Sequence, residues 1–569
     1  MSRNTVKVAT AIALSAGLVL TASACSSSGK GTTAAPSHSA YNPNLNQINP
    51  VDPANLKQGG TFNFPVDQYS SQWNVLQADS QNELSITQTL APVMPSSLFH
   101  STADNKLTPN TDYITSAKVE TVNGKQVTTY EINPKAKWSD GTDITWKDFQ
   151  AVWQADNGKN PKYAVIGTTG YDQIESVAQG KDAKEVVVTY ATPFADWQSL
   201  FAPLYPASQI GTLDGFNNAY RNKIPVTAGP FKIQSMNPTT KTVTEVPDPN
   251  WWGQKPVLSQ INFVTLDAAT EPSAFASGEI DVMDIGPSAA AYAKAKSVAG
   301  ASIRVAGAPN LRQLLLNGTS PILTDQNVRQ AIFQGINRIA IGQSDLASLP
   351  WQIKPLNNHF LVNNANGYVD NAGELGAYDP KAAGAKLDAA GWKMGSNGYR
   401  AKDGKELDLT LEIPAGTPVA QNESTLLVPM LKNLGIKLKV VLGTQDHFFD
   451  DVAAGKFDLT IFSGIGAIPF FPLTNSQASF ASPKNGNVGQ NYSRIGSADV
   501  DSAMAAAAGE TDPTKYLADI NQADKALWTL AVNLPLYQRP QIVATKPTVA
   551  NWGAFGFQDV DWTKVGFTK

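Results

Sequence analysis

Two spacings organise the chain. Apolar residues recur at every second position in some short runs, the mark of half-buried strands, and three or four apart in others, the mark of helices. Within 242–246, Thr242, Thr244 and Val246 fall on one face and Val243 and Glu245 on the other, so the run reads as a strand. Pro247-Asp248-Pro249-Asn250 breaks it, and Trp251-Trp252-Gly253 opens a turn carrying two large rings. Ile261, Phe263 and Thr265 alternate again; 268–277 predicts a short helix stopped by Gly278, and Ile280-Asp281-Val282 a further strand. Nearer the start, Gly59-Gly60 leads a strand through Phe62 and Phe64, and 113–120 with 126–132 predict a hairpin turned at Asn123-Gly124.

The second half alternates strands with helices. Leu314-Leu315-Leu316 is an apolar strand, and Asp325 precedes a helix with Val328, Ala331, Ile332 and Ile336 on one face. Asp379-Pro380 places an N-cap before a proline at the first helical position. A strand over 407–413 leads to a stripe of Leu426, Leu427, Met430, Leu431 and Leu434, which Gly435 ends. Ile436, Leu438 and Val440 form the next strand, Thr444 is expected to cap a helix holding Phe448 and Val452, and 457–462 is a buried strand. Strand–helix–strand in this order predicts parallel neighbours joined by a crossover.

Hydrophobic residues make up 42% and charged residues 16% of the 569 positions, the balance of a chain able to bury a large core. The net charge is −4, and no basic cluster of the kind that binds nucleic acid occurs. The single cysteine, Cys25, rules out an internal disulfide. It follows a positive start (Arg3, Lys7), an apolar run over 8–20 and the small residues Ala22-Ser23-Ala24, the anatomy of a secretory signal. This junction resembles a bacterial lipobox, although Ala22 stands where leucine is commonest. The resemblance implies cleavage before Cys25 and a diacylglycerol on its sulfur, a two-chain anchor. The plainer alternative is an ordinary signal peptide with a chance cysteine. Residues 26–57, rich in Ser, Gly, Thr, Ala, Pro and Asn, read as a flexible tether. No later segment is long and apolar enough to span a bilayer.

Several motifs stand in a fixed order. Trp138-Ser139-Asp140-Gly141 precedes Thr145-Trp146-Lys147-Asp148-Phe149; the two aspartates suit a turn and a helix cap better than a catalytic pair. Ala228-Gly229-Pro230-Phe231, Asp248-Pro249-Asn250-Trp251-Trp252-Gly253 and Ser277-Gly278-Glu279-Ile280-Asp281 follow, then the helix 325–338 with Arg329 and Arg338, and last Leu534-Pro535-Leu536-Tyr537. Together they resemble the signatures of the family 5 extracellular solute-binding proteins, over nearly all of 58–569. The resemblance implies an α/β, two-lobed periplasmic-binding-protein-like fold of the large three-domain type (class II), with mixed sheets and a ligand cleft between the lobes. It implies a signal over 1–24, an anchor and tether over 25–57, a first domain over 58–96, 217–314 and 534–569, an insertion with its own core over 97–216, and a third domain over 315–533. The strands near Leu316 and Leu534 would be the hinges. The implied role is a lipid-anchored subunit outside the cytoplasmic membrane. It would capture an oligopeptide or similar solute as a monomer and hand it to an ABC permease, with no cofactor and no chemistry of its own. Presenting the solute to a membrane sensor, or binding a non-peptide solute such as an oligosaccharide, are the alternatives.

The candidate site gathers aromatic walls and polar contacts. Tyr69, Trp73, Trp351, Phe448, Phe470, Phe471, Tyr492 and Tyr537 are the rings; Asn74, Asn317, Asn475 and Asn491 are the amides. Ser463-Gly464-Ile465 opens a glycine-rich loop at the end of a parallel strand, where α/β sheets bind ligands. Core packing and turn chemistry are equally good explanations for any one of these residues. His38, His100, His359 and His447 show no metal-ligand spacing, and no phosphate loop, nucleophile elbow or H-E-x-x-H occurs. A secreted hydrolase is therefore the least favoured reading. Many peptide-binding members of the family carry an aspartate in the loop after the buried strand, where it pairs with the ligand's α-amine. Here 464–472 has no acidic residue, so a weak preference for free-amine peptides is expected.

Overall fold

Alternation in the first lobe becomes one aromatic-rich core. Strand β1 (Thr61–Val66) begins it, followed by an inserted antiparallel sheet of β2 (Ile114–Val122), β3 (Lys125–Ile132), β4 (Ile174–Gln179) and β5 (Glu185–Tyr190), in the order β2-β3-β5-β4. Helix α1 (Trp146–Asp156) packs on β4 and starts with a capping box: Thr145 and Asp148 exchange side-chain-to-backbone bonds. Then β6 (Phe231–Asn237), β7 (Thr242–Pro247) and β8 (Gln260–Thr265) close a sheet of order β1-β8-β7-β6, with β8 parallel to β1. Its buried face carries Phe62, Phe64, Val243 and Phe263, against Trp552 and Trp562 at edge and tilted angles. The computed structural model describes residues 46–569 apart from 81–82, 445–446 and 484–487. The signal, Cys25 and most of the proposed tether therefore lie outside the described residues.

The insertion does not keep a core to itself. Its buried side chains and those of the surrounding domain form one continuous cluster. The double tryptophan explains why: Tyr113 of the insertion meets Trp251 and Trp252 at 5.9 and 6.0 Å, and its hydroxyl donates to the Ala228 carbonyl at 2.7 Å. Trp252 Nε1 donates to the Asp112 carbonyl at 2.8 Å. Gly229 permits the contact beneath, since a Cβ there would lie 2.3 Å from the Pro92 oxygen. Residues 46–57, read as tether from composition, are also held. Gln47 bridges Ala554, Val51 N donates to Asn551 Oδ1 at 2.8 Å, and Leu56 and Lys57 pair with Thr568 and Phe567. Asparagine side chains aligned on a partner strand supply the bonds that apolar content would otherwise have to replace.

Helix α2 (Glu271–Ser277) ends at Gly278 in the left-handed region (φ +85°), and β9 (Val282–Asp284) follows. Asp281 Oδ2 accepts from Asn63 N at 2.8 Å, so this motif aspartate fastens β1. The long strand β10 (Ser302–Leu316) then carries the chain into the second lobe. There follow α3 (Gln326–Gly335), α4 (Arg338–Leu346), β11 (Asp408–Pro414), α5 (Pro418–Asn433), β12 (Lys437–Gly443), α6 (Phe448–Ala454) and β13 (Leu459–Gly464). Helices α7 (Pro472–Phe480), α8 (Ala498–Gly509) and α9 (Pro513–Leu530) precede β14 (Asn533–Thr545), which returns to the first lobe. The sheet order is β9-β14-β10-β13-β11-β12, with β11 parallel to both β12 and β13. Thr444 does not cap α6: His447 occupies the N-cap position and gives no side-chain bond. Arg329 donates to the carbonyls of Leu323, Leu530 and Ala531, and Arg338 to those of Leu356, Pro535 and Gly376. Both motif arginines thus satisfy main-chain acceptors at element ends.

The two lobes share β10 and β14, which pair antiparallel from Ser302↔Thr545 to Leu315↔Asn533. Their register slips between Gly307 and Asn310 and again between Arg312 and Gln313. At the first slip the Ala308 carbonyl accepts from Gln538 Nε2 at 2.9 Å and the Gly307 carbonyl from Asn364 Nδ2 at 3.1 Å. A bulge whose acceptors are filled by side chains bends without orphaning polar groups, as a hinge requires.

Candidate functional site

Strand direction locates the cleft wall. β13 runs antiparallel to β10, so the carboxyl ends of β13, β11 and β12 point back towards the first lobe. Leu442, Phe449 and Ile465, at 59%, 55% and 51% exposure, and Ile468 project there. Phe462 lies 5.5 Å from Phe449 and 6.4 Å from Tyr492, ring to ring. Large apolar side chains left in water at one place mark a surface that something covers.

The loop 464–471 rests on the hinge. Gly466 N donates to Asn310 Oδ1 at 3.1 Å, and a Cβ on Gly466 would come within 2.5 Å of the Pro309 oxygen. Ala467 N donates to Asn475 Oδ1 at 3.2 Å. Phe470 is buried against Phe557 at 5.5 Å. Its main chain bonds Asn105 of the first lobe twice, the carbonyl accepting at 2.8 Å and the amide donating at 3.2 Å. Asp196 of the insertion reaches Thr474 and Tyr516 in the same region. The lobes therefore touch at one end of the cleft while the apolar wall stays exposed.

The end of the first lobe nearest β10 and β14 carries acids. Asp67 follows β1, Asp284 ends β9, and Glu271 opens α2. Burial, then the neighbouring Asp284 and Asp67, push the Glu271 carboxyl up to about 8; burial and Asp284 raise Asp67 as well. Arg539 pairs with Asn310 across the hinge strands, and its Nη2 lies 2.9 Å from where a Cβ on Gly286 would stand. In the second lobe, Tyr537 donates to Asp345 Oδ2 at 2.9 Å, and Arg312 Nη1 reaches Ser463 Oγ at 3.4 Å. Burial and then the nearby Glu423 push Asp345 up to about 8. Among the described residues no group of His, Cys, Asp or Glu has the geometry to hold a metal ion, and no helix is long and apolar enough to cross a membrane.

The residues singled out from sequence divide in two. Ser463 and Gly464 end β13, Ile465 and Phe471 lie on the loop after it, Asn475 is in the first turn of α7, and Tyr492 stands beside Phe462, whereas Phe470 of the same loop is buried in the core. Tyr69 is half-buried, edge-on to Trp73 at 5.7 Å, and Trp351 is half-buried between α4 and β11. Trp73, Asn74, Asn317, Phe448, Asn491 and Tyr537 are enclosed within the lobes. Asn74 donates to the Phe216 carbonyl, Asn317 to those of Gly455 and Phe457, and Asn491 to those of Ala481 and Ile495. Leu442, Phe449, Asn105, Asp196 and the acids near Arg539 were not singled out. Phe449 had a signal: the helical spacing that buries Phe448 with Val452 turns its neighbour outward.

The description of bacterial extracellular solute-binding proteins, family 5 Middle, matches residues 109–487. An oligopeptide-binding protein, OppA, of Mycobacterium tuberculosis (strain ATCC 25618 / H37Rv) is 34% identical over 555 residues, covering 96% of this chain and 91% of that protein. The chain belongs to the family 5 extracellular solute-binding proteins. Other relatives differ in what their names say they bind. A probable monoacyl phosphatidylinositol tetramannoside-binding protein, LpqW, from the same strain is 24% identical over 528 residues, 77% of this chain and 80% of that protein. Among solved structures, a periplasmic EDTA-binding protein, EppA, superposes with a TM-score of 0.82 at 26% identity, over 93% of this chain and 99% of that one. An oligopeptide-binding protein, AppA, from Bacillus subtilis in complex with a nonapeptide gives 0.73 at 18%, over 90% and 100%, a likeness of fold alone. A two-lobed, mixed α/β body whose lobes share the paired strands β10 and β14 is thus this family 5 protein's architecture.

Proposed function

We propose that this protein captures an oligopeptide in the cleft between its lobes and delivers it to an ABC permease, while Cys25 holds it by lipid to the outer face of the cytoplasmic membrane. The observation that carries this reading is the exposed apolar wall of Leu442, Phe449, Ile465 and Ile468 at the carboxyl ends of parallel strands, beside the hinge. Ile465 and Ile468 sit on a loop bonded to that hinge through Gly466 and Asn310, so a solute covering them acts where the lobes bend. The protein performs no chemistry on the solute and works as a monomer.

A second reading, a polycarboxylate or its metal chelate, draws on the EDTA-binding relative and on the absence of an acid in 464–472. The acids at the hinge end of the first lobe weigh against it: Asp284 raises both Asp67 and Glu271, the mark of local negative charge, which repels a polyanion. Calorimetry with a pool of four- to eight-residue peptides, and separately with EDTA and its metal complexes, distinguishes the two. Saturable binding of peptides alone is expected; binding of EDTA alone refutes the peptide reading.

A further inference from the structure

We propose that Asp196 is a positioning residue for solute capture: it reaches from the first lobe to complete helix α7 of the second, and so holds the cleft shut. This deepens the solute-binding reading and rests on it.

Helix α7 lacks a cap of its own, since Phe471 stands at its N-cap and gives no side-chain bond. The first N–H groups of a helix need acceptors from outside it. Asp196 supplies one from across the cleft. Its Oδ2 accepts from Thr474 N at 2.9 Å and from the Thr474 hydroxyl at 2.6 Å, and its Oδ1 accepts from the Tyr516 hydroxyl at 2.7 Å. Tyr516 in turn accepts from Leu473 N at 3.3 Å, and Ala195 N donates to the Ala508 carbonyl at 2.6 Å. Asp196 is 5% exposed, so solvent does not compete for these bonds. Burial raises its pKa, with the Thr474 and Tyr516 bonds acting in the opposite direction.

The three Asp196 bonds and the Ala195–Ala508 bond each join one lobe to the other, so they form only when the lobes meet, whereas the Leu473–Tyr516 bond lies within the second lobe and holds Tyr516 in place for Asp196. The cleft loop 465–471 runs straight into α7. A solute resting on Ile465 or Ile468 and a carboxylate capping Thr474 therefore act on one continuous segment. The closed form gains stabilisation that the solute does not provide, and apparent affinity rises with the fraction of molecules closed beforehand. Capping and charge-assisted bonds of this kind shift that fraction by about 10- to 100-fold.

The test uses the mature full chain, freed of solute by unfolding and refolding, in small-angle scattering. Asp196→Ala is expected to raise the radius of gyration above that of the unsubstituted protein, and Asp196→Asn and Tyr516→Phe to raise it less, with circular dichroism unchanged. Tryptophan fluorescence with a pool of four- to eight-residue peptides is expected to show dissociation faster by tenfold or more in Asp196→Ala, with association little altered. Identical scattering and dissociation in Asp196→Ala and the unsubstituted protein overturn the proposal. So does a loss of helical signal in Asp196→Ala, which would make Asp196 a folding residue only. If no peptide binds even the unsubstituted protein, the solute reading has failed, and the scattering alone still decides for or against the latch.

Discussion

Arg312 and Glu423 lie fork to fork inside the second lobe, Nε to Oε1 at 2.7 Å and Nη2 to Oε2 at 2.5 Å. Both side chains are almost wholly buried. Removing one partner leaves the other charged in a medium that solvates it poorly. Glu423→Ala is expected to lower stability by about 3–5 kcal/mol, read by urea denaturation. Adding Arg312→Met should recover most of that loss. A single variant within about 0.5 kcal/mol of the unsubstituted protein would show that the pair is not sealed from water.

The neighbouring Asp345 gives a pH dependence of fixed sign. Its carboxyl is raised from 3.8 to about 8 in the fold, first by burial and then by Glu423. The fold therefore binds the proton more tightly than the unfolded chain does. The stability tied to that proton is complete below the unfolded value and is lost as pH climbs through the folded one. Asp345→Asn, which keeps the oxygen facing Tyr537, should gain on the unsubstituted protein progressively between about pH 4 and pH 8. Melting temperatures across that window check it; a constant difference contradicts it.

Affinity and stability should separate by location. Phe449→Ser and Ile465→Ser remove exposed apolar surface that a solute would cover, so each should weaken peptide binding about tenfold with little change in melting temperature. Asn74→Ala removes a buried amide that holds the Phe216 carbonyl and the Leu76 amide, and should cost about 1–3 kcal/mol of stability. Calorimetry and thermal melts on the same three variants decide it.

The cleft loop has no carboxylate between 464 and 472. A bound peptide and its N-acetylated form should therefore differ in affinity by less than about tenfold. A larger preference for the free amine would contradict this and direct attention to Asp67 and Asp284.

Gly466→Ala should lower affinity without unfolding the lobe, because the added carbon meets the Pro309 oxygen at 2.5 Å and lifts the loop from the hinge. Peptide titration with a parallel denaturation curve tests both halves of that statement.

Features encoded within a few residues were readable from sequence. Asp148 as a cap, Gly278 as a helix stop and the Asn123-Gly124 hairpin each depend on local geometry alone. The loop after 464 was legible as the carboxyl end of a parallel strand, because β13 pairs parallel with β11. Whether an aromatic or amide faces a cleft or a core depends instead on what packs over it. Trp73 N and Asn74 Nδ2 donate to the carbonyls of Tyr220 and Phe216, and nothing near them in the chain says so. Asp196 is the extreme case. Its acceptor role depends on Thr474 and Tyr516, 278 and 320 positions further along, and on the lobes being in contact.

The stitching of residues 46–57 onto 549–568 has a mechanical consequence. Force applied at residue 46 passes into the first lobe through Gln47, Val51 and Leu56, and reaches β10 only at its first-lobe end, where Gln47 Oε1 accepts from Val305 N and the Ile48 carbonyl from Arg304. Whatever pulls on that end of the chain moves one jaw as a rigid block, and the other follows through its two ribbons and the bonds of Asn105 and Asp196.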